Sequence, residues 1–143
     1  MQTTETIIGK DFKQKVVPLI DEAKKSIKIV VFDWRWYLND PGNPVSLFNQ
    51  AIVRARRRGV EVKALVNSDE VVKILNKEGC LAKKLNSPNL LHIKMILIDD
   101  VIAVVGSHNY TQSAFTMNFE LSVIVRGPEN LSSMISYFKN LFN

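Results

Sequence analysis

The sequence predicts an α/β domain built on a mixed, largely parallel β-sheet with helices on both faces. Its 143 residues suit one domain. Apolar residues make up 46% of the chain and charged residues 23%, which is typical of a globular protein. Short β-rich runs alternate with runs of helical periodicity, as in βαβ units. We find no internal repeat and treat residues 1–143 as a single domain.

Periodicity and turn residues locate the predicted elements. Short apolar runs indicate buried strands, and apolar residues three or four positions apart indicate helices. Gly59 is the expected C-cap of an arginine-rich helix end, and Asp99 with Asp100 indicates a tight hairpin. The predicted order is helix 11–25, strand 26–32, loop 39–44, helix 47–58, strand 60–66, helix 69–79, strands 90–98, 101–105 and 121–125, and a last helix after Pro128.

Charge and cysteine content narrow the classes of function. The formal charge of +5 and the pI near 9.4 favour an anionic partner, such as nucleic acid or an anionic membrane surface. The single cysteine, Cys80, excludes an intrachain disulfide, and two histidines are too few for the usual zinc clusters. The sequence has no signal peptide and no run that could span a bilayer. We therefore expect a cytoplasmic protein with no metal, no other cofactor and no stable membrane association.

Two basic side chains interrupt the apolar run 90–98. His92 and Lys94 are two residues apart, so in a strand they project from the same face. A nucleophile and a phosphate-binding cation would then lie side by side. An isolated pair of this kind is more often a solvated strand face, so the pair indicates little by itself.

The segment that follows adds polar groups suited to the same site. Ser107 and Asn109 share a face if the chain stays extended, and Gly106 permits close backbone approach. Asn109 offers an amide donor for phosphate oxygens without adding charge. Glu120 stands at a strand entrance, where its carboxylate could hold an imidazole in one tautomer. The structural alternatives are a simple turn for the glycine-serine segment and a surface carboxylate for Glu120.

The combined pattern H-x-K-x(4)-D-x(6)-G-S-x-N resembles the HKD signature of the phospholipase D superfamily. It is filled here by His92, Lys94, Asp99, Gly106, Ser107 and Asn109. Asn118 and Glu120 also match the family's downstream Asn-x-Glu, so the resemblance covers nearly the whole chain. It implies the phospholipase D/nuclease-like fold for residues 1–143, with one HKD motif.

The resemblance also implies metal-independent phosphodiester chemistry. A neutral His92 attacks phosphorus to form a phosphohistidine, and a second, protonated histidine donates to the leaving oxygen. Lys94 and Asn109 stabilise charge on the nonbridging oxygens, and Ser107 hydrogen bonds near them. Larger family members carry two motifs and this chain carries one. The resemblance therefore implies a homodimer in which two copies of His92 form one site.

Two motif positions differ from the others in their expected roles. Asp99 belongs to the signature and is a candidate catalytic residue, but it is an odd number of residues from His92 and faces away along a regular strand. Its expected role is to brace the hairpin. His108 occupies the variable position of the motif and could be an acid within the chain. It alternates away from Ser107 and Asn109, so a packing or surface role is expected rather than catalysis.

The motif leaves the substrate open between nucleic acid and phospholipid. Arg35 and Trp36 follow the first strand, and arginines at 54 and 56–58 add cationic surface. These residues suit single-stranded nucleic acid and favour a nuclease of DNA or RNA, with endonuclease action expected. An arginine run is also common at solvated helix ends, and Trp34 or Trp36 could pack in a core or interface. The alternatives are a phospholipid hydrolase or phosphatidyl transferase, and a catalytically silent nucleic-acid-binding dimer.

Overall fold

The computed structural model describes residues 3–143, with Asn130 described by its backbone alone. The strands are β1 Thr3–Ile8, β2 Ser26–Val31, β3 Glu61–Val66, β4 Leu81–Lys83, β5 Lys94–Ile98, β6 Ile102–Gly106 and β7 Leu121–Arg126. The helices are α1 Phe12–Asp21, α2 Pro44–Arg57, α3 Asp69–Lys77, α4 Gln112–Thr116 and α5 Pro128–Phe142. Over these residues the strands form one seven-stranded sheet in the order β1-β7-β6-β5-β2-β3-β4.

The sheet is mixed, as predicted. The prediction that most of its strands pair in parallel is wrong. In the described sheet, four of the six strand pairs are antiparallel. The two parallel pairs are β2 with β3 and β3 with β4, which α2 and α3 connect as crossovers. β5 and β6 are joined by a tight turn, which allows only antiparallel pairing. The strand-helix-strand pattern of the first half therefore does not extend to the second.

Helices cover both faces of the sheet, which confirms that part of the prediction. On one face, Phe12 of α1 and Phe48 of α2 share a core cluster with Ile29 and Ile96 of the sheet. The opposite face is covered by α5, which contributes Leu131, Phe138 and Phe142 to a second cluster. Over residues 3–143, no helix combines the length and apolar character needed to cross a bilayer.

The predicted helices and strands are present, with ends that differ by a few residues. The largest differences are four residues: β5 begins at Lys94 rather than at residue 90, and α1 ends at Asp21 rather than at residue 25. Three elements were not predicted: β1, β4 and α4. β1 is an edge strand whose residues are mostly exposed, so it lacks an apolar run. β4 and α4 have three and five residues, too few to establish a period.

Asp99 and Asp100 form the predicted hairpin turn, and both have a φ of 54°. The Asp99 carboxylate accepts hydrogen bonds of 2.7–3.2 Å from the backbone N–H groups of Lys24, Lys25 and Ser26. Burial acts to raise the pKa of Asp99, but these hydrogen bonds outweigh it, so the pKa is lowered. Asp99 therefore ties the β5–β6 hairpin to the start of β2.

Replacing Asp99 with alanine should lower the free energy of unfolding by about 2–4 kcal/mol, because three backbone N–H groups lose a charged acceptor. Asp100→Ala is the matched control. Asp100 has the same φ, so the backbone strain of alanine is shared, but its carboxylate pairs with the Lys28 side chain at 3.0 Å. That variant should lose about 1–2 kcal/mol. Chemical denaturation compares the two, and equal losses would argue against the bracing role.

Candidate active site

The candidate residues collect at one edge of the sheet, where strands end or begin. Lys94 begins β5 and pairs with Val31, the last residue of β2. Gly106 ends β6 beside Ser122, and a Cβ added at Gly106 would lie 2.6 Å from the Leu121 carbonyl oxygen, so only glycine fits. The loops that leave β2 and β6 and enter β5 and β7 therefore meet. They bring together His92, Lys94, Ser107, Asn109 and Glu120.

His92 and Lys94 form the centre of this site. The Lys94 Nζ atom lies 3.0 Å from Nδ1 and 3.4 Å from Nε2 of the exposed His92 ring. His92 is in the loop before β5 rather than in the strand, yet the predicted pairing of the two side chains is confirmed. Phe32 packs against the imidazole with ring centroids 4.8 Å apart. Burial lowers the pKa of the Lys94 ammonium, and the negative charge of Glu120 opposes this shift.

Ser107 and Glu120 form a hydrogen-bonded pair in the same region. The Ser107 hydroxyl donates to Glu120 Oε1 and accepts from the Leu121 backbone N–H at 3.0 Å. Asn118 Nδ2 donates to Glu120 Oε2 at 3.0 Å. Within the described part of one chain, Glu120 therefore orients Ser107 and makes no hydrogen bond to an imidazole. The predicted contact between Glu120 and an imidazole is therefore not formed within the described residues.

Asn109 is held by its side-chain oxygen, which leaves its amide donors available. Asn109 Oδ1 accepts from the Asp33 backbone N–H at 3.1 Å, next to the end of β2. No acceptor within residues 3–143 is paired with Asn109 Nδ2, so its two N–H groups can donate to a ligand. Ser107 is exposed and Asn109 half-buried, whereas His108 between them is buried. The predicted alternation along this segment is confirmed.

His108 lies in the interior and not among the site residues. Its side chain is 1% exposed, with Nδ1 2.7 Å from Ser122 Oγ and Nε2 2.8 Å from the Gly9 carbonyl oxygen. The ring packs on Phe12 with centroids 4.6 Å apart. Burial lowers the pKa of His108, against opposing effects of the Gly9 carbonyl and Glu120. His108 is therefore neutral at pH 7 and packs in the interior, which is one of the two roles, packing or surface, that its alternation predicted.

The lowered pKa of His108 predicts a fold that is sensitive to acid. Below the ordinary histidine pKa near 6.5, the unfolded chain binds a proton that the folded chain does not. The free energy of unfolding therefore decreases as the pH is lowered. His108→Asn removes this titration. Its free energy of unfolding should change less between pH 7 and pH 5 than that of the wild type, by about 1.4 kcal/mol per unit of pKa difference. Chemical denaturation at both pH values measures this, and identical pH dependence would refute it.

Asp99 and Trp36 lie apart from the reacting groups. Lys94 begins β5 and Asp99 comes directly after its other end, so the two side chains lie at opposite ends of the strand. The candidate catalytic role of Asp99 is therefore corrected to that of a structural brace. Trp36 is half-buried and lines a separate cavity of about 470 Å³ with residues of α2 such as Gln50 and Val53. A direct contact from Trp36 to a substrate at His92 is therefore not supported by its position.

Arg35 lies at the rim of the site. Its backbone N–H donates to the carbonyl of Tyr110, the neighbour of Asn109, at 3.0 Å. The guanidinium is 63% exposed and pairs with the Asp33 carboxylate at 2.7 Å. This hydrogen bond and charge raise the pKa of Arg35, which stays cationic.

The other predicted cationic and aromatic residues are bonded within the fold. Trp34 is 1% exposed, and its indole N–H donates to Asn49 at 2.7 Å, so its packing alternative is the correct one. The arginines at the end of α2 each hydrogen bond to a protein acceptor. Arg54 bonds to Asp21, Arg56 to the Gly79 carbonyl, Arg57 to Glu78, and Arg58 to the carbonyls of Ile20 and Ala23.

Two residues of the site were missed in the sequence. Phe32 packs against His92 with the ring planes tilted by 45°, and the Lys94 Nζ atom lies 5.6 Å from the centroid of the Phe32 ring. Asn67, directly after β3, donates to the carbonyls of Phe32 and Leu91 at 3.0 and 3.2 Å and so fixes the loop that carries His92. The available signal was a polar residue at the carboxyl end of a parallel strand, where α/β sheets place their sites.

A cation beside an exposed imidazole, at the edge of a mixed sheet, places the chain in the class of phospholipase D-like proteins. Residues 16–142 match the family described as "Cardiolipin synthase, PLD-like domain". The chain belongs to this family and thus to the phospholipase D superfamily, which confirms the predicted superfamily.

Curated relatives carry phospholipase D names. "Phospholipase D" of Rickettsia prowazekii (strain Madrid E) is 28% identical over 134 residues, which cover 90% of this chain and 60% of the relative. "Phospholipase D Z" of Dictyostelium discoideum is 31% identical over 137 residues, which cover 82% of this chain and 31% of the relative. The chain thus spans about three fifths of the rickettsial protein and about a third of the other.

Solved structures share the fold across the whole chain. The phospholipase D family member Nuc from Salmonella typhimurium matches with a TM-score of 0.82 at 24% identity, covering 100% of this chain and 95% of Nuc. NucT from Helicobacter pylori matches with a TM-score of 0.79 at 19% identity, covering 99% of this chain and 96% of NucT. The archaeal chromatin protein TrmBL2 matches with a TM-score of 0.63 at 16% identity, covering 96% of this chain and 51% of TrmBL2.

Proposed function

We propose that this chain is a phosphodiesterase that acts through a covalent phosphohistidine on His92. The observation that carries the proposal is the 3.0 Å contact between His92 and Lys94 at the edge where Asn109 presents its amide donors. A ring nitrogen of His92 attacks phosphorus, the bond from phosphorus to the leaving oxygen breaks, and that oxygen takes a proton from an acid. Water then attacks phosphorus and gives its proton to the group that acted as the acid, the P–N bond breaks, and His92 is released.

Lys94 and Asn109 are proposed to stabilise the charge on the nonbridging oxygens. An ammonium and a neutral amide supply the electrostatic stabilisation that metal ions supply in many phosphoryl-transfer enzymes. Within residues 3–143, no group of three or more His, Cys, Asp or Glu side chains is arranged to hold a metal. We therefore propose that the reaction proceeds without a metal ion.

The acid is proposed to come from a second copy of the chain. Each chain has two histidines, and His108 is buried and bonded. A two-fold axis beside the site would place both copies of His92 in one active site, one as nucleophile and one as acid. An apolar patch suited to that contact borders Ser107 and Glu120. Its residues are 54–107% exposed: Ile8, Met117, Phe119 and Leu121.

Phe119→Asp tests this dimer directly. A carboxylate in the apolar patch should dissociate the dimer, and kcat should fall by about 10²–10⁴-fold because the half-site lacks its acid. Val101→Asp is the control, since Val101 is 58% exposed but lies after the turn at the far end of β5. Sedimentation and activity are measured at the same protein concentration. A monomeric Phe119→Asp variant with full activity would disprove the shared site.

We propose nucleic acid as the substrate. The formal charge of +5 and the exposed Arg35 at the rim suit a polyanion with several phosphates. TrmBL2, which shares the fold, is described as binding DNA. The second candidate is a phospholipid, which the names of the curated relatives and the family description favour. A catalytically silent nucleic-acid-binding dimer is the third.

The test uses wild type and His92→Ala with labelled single-stranded DNA, duplex DNA, RNA and a phospholipid, each in excess EDTA. Cleavage of a nucleic acid by the wild type alone is the expected result. Turnover of the phospholipid alone would replace the nuclease proposal with the phospholipase. Binding of nucleic acid without any turnover would leave only the silent dimer.

A further inference from the structure

We propose that the groove beside His92 is a subsite for an unpaired nucleobase next to the scissile phosphate. This inference rests on the proposed phosphodiesterase function and deepens it. The groove has a volume of about 530 Å³ and runs between the loop before β5 and helix α5. Its lining includes His92, Leu85, Asn89, Leu90, Tyr137 and Leu141.

The position of the groove decides which part of a substrate enters it. His92 lines the groove and also contacts Lys94, so a phosphorus atom at the imidazole lies at the mouth of the groove. The polar groups for phosphate oxygens, Lys94 and Asn109, are absent from the described groove lining. The anionic oxygens therefore stay with Lys94 and Asn109, and an uncharged part of the substrate enters the groove.

The groove lining suits a flat aromatic ring with polar edges. Tyr137 is 53% exposed, so one face of its ring is open to stacking. Leu90, 70% exposed, supplies an apolar rim. Asn89 uses its backbone N–H to bond Ser87 Oγ at 3.1 Å, and its side-chain amide has no partner within residues 3–143. That amide offers one acceptor and two donors to the edge of a base.

A nucleobase fits this lining better than an acyl chain. The volume lies within the usual range of about 300–1,000 Å³ for small-molecule sites. The hydrocarbon part of an acyl chain has no polar atoms. It would displace the water that hydrogen bonds to Ser87 and Asn89 and would offer these residues no hydrogen bonds in return. A base that is paired and stacked in a duplex cannot enter the groove. The subsite therefore selects unpaired strands.

The test compares two strands that differ only in their bases. A short oligothymidylate and an abasic strand of equal length are incubated with the wild type in EDTA, and kcat/KM is measured for each. The wild type should prefer the oligothymidylate by about tenfold, the size expected for one base stacked on an aromatic ring. Tyr137→Ala and Leu90→Ser should each reduce this preference towards parity. Annealing to oligoadenylate should reduce cleavage by about tenfold or more.

Leu81→Ser is the matched control. Leu81 is 56% exposed and lies on β4, outside the groove, so its replacement should leave the preference unchanged. If the wild type cleaves both strands equally, the subsite is refuted while the phosphodiesterase proposal stands. If it cleaves neither strand but hydrolyses phosphatidylcholine vesicles, and Leu90→Ser impairs that reaction, the groove holds an acyl chain. The base subsite and the nucleic-acid substrate are then both refuted, whereas the phosphodiesterase proposal stands.

Discussion

Replacing His92 with alanine should lower kcat for phosphodiester cleavage by about 10⁴-fold or more, because the proposed covalent intermediate can no longer form. The free energy of unfolding should hardly change. The imidazole is exposed, and its contacts are with Lys94 and one face of Phe32, so its removal leaves no buried cavity. Single-turnover kinetics in EDTA and thermal denaturation measure both quantities. A variant with wild-type kcat would remove His92 from the mechanism.

Mixing the His92→Ala variant with the wild type tests whether two copies of the chain share one active site. Co-refolding the two at a constant total concentration produces mixed dimers that carry a single His92 side chain. Such a dimer lacks either the nucleophile or the acid, so activity should fall with the square of the wild-type fraction. A linear decrease would mean that each chain works alone. Because all samples contain the same fold and interface, the comparison does not depend on protein stability.

The central part of the site could be predicted because it depends on local alternation. His92 with Lys94, and Ser107 with Asn109, are pairs two residues apart, and extended backbone places such pairs on one side. The same rule turned His108 away from this side but left a packing and a surface role open, and the structure places it in the interior. These relations need only a few residues of extended chain and no knowledge of the tertiary structure.

The rest of the site depends on distant packing and could not be read from spacing. Trp36 and Arg35 both follow β2, but the Trp36 ring lies against α2 while Arg35 lies at the rim of the site. Asn67 is 25 residues from His92 in sequence, and its role arises from its bonds to Phe32 and Leu91. Likewise, the order of strands in the sheet includes β1, which is mostly exposed, and β4, which has three residues. Neither sequence has the apolar pattern by which strands are predicted.

Replacing Lys94 with methionine should lower kcat by about 10²–10³-fold, with a smaller effect on KM. Methionine keeps much of the length and packing of the lysine stem but removes the ammonium that faces His92 at 3.0 Å. In the proposed mechanism, negative charge on the nonbridging oxygens grows as His92 adds to phosphorus. A cation placed here therefore stabilises the transition state more than the bound substrate. Steady-state kinetics on the cleaved substrate separates the two parameters.

Lys28→Met is the control that isolates position from net charge. Lys28 lies on the adjacent strand β2, its side chain is 18% exposed, and it pairs with Asp100 at 3.0 Å near the far end of β5. Both variants remove one positive charge from the same sheet, so any general weakening of polyanion binding is common to both. Lys28→Met should keep kcat within about twofold of the wild type, as expected for a charge remote from the reaction. Equal losses in kcat would show that Lys94 acts through the overall field of the protein, and the proposed contact between its ammonium and the reacting phosphate would be wrong.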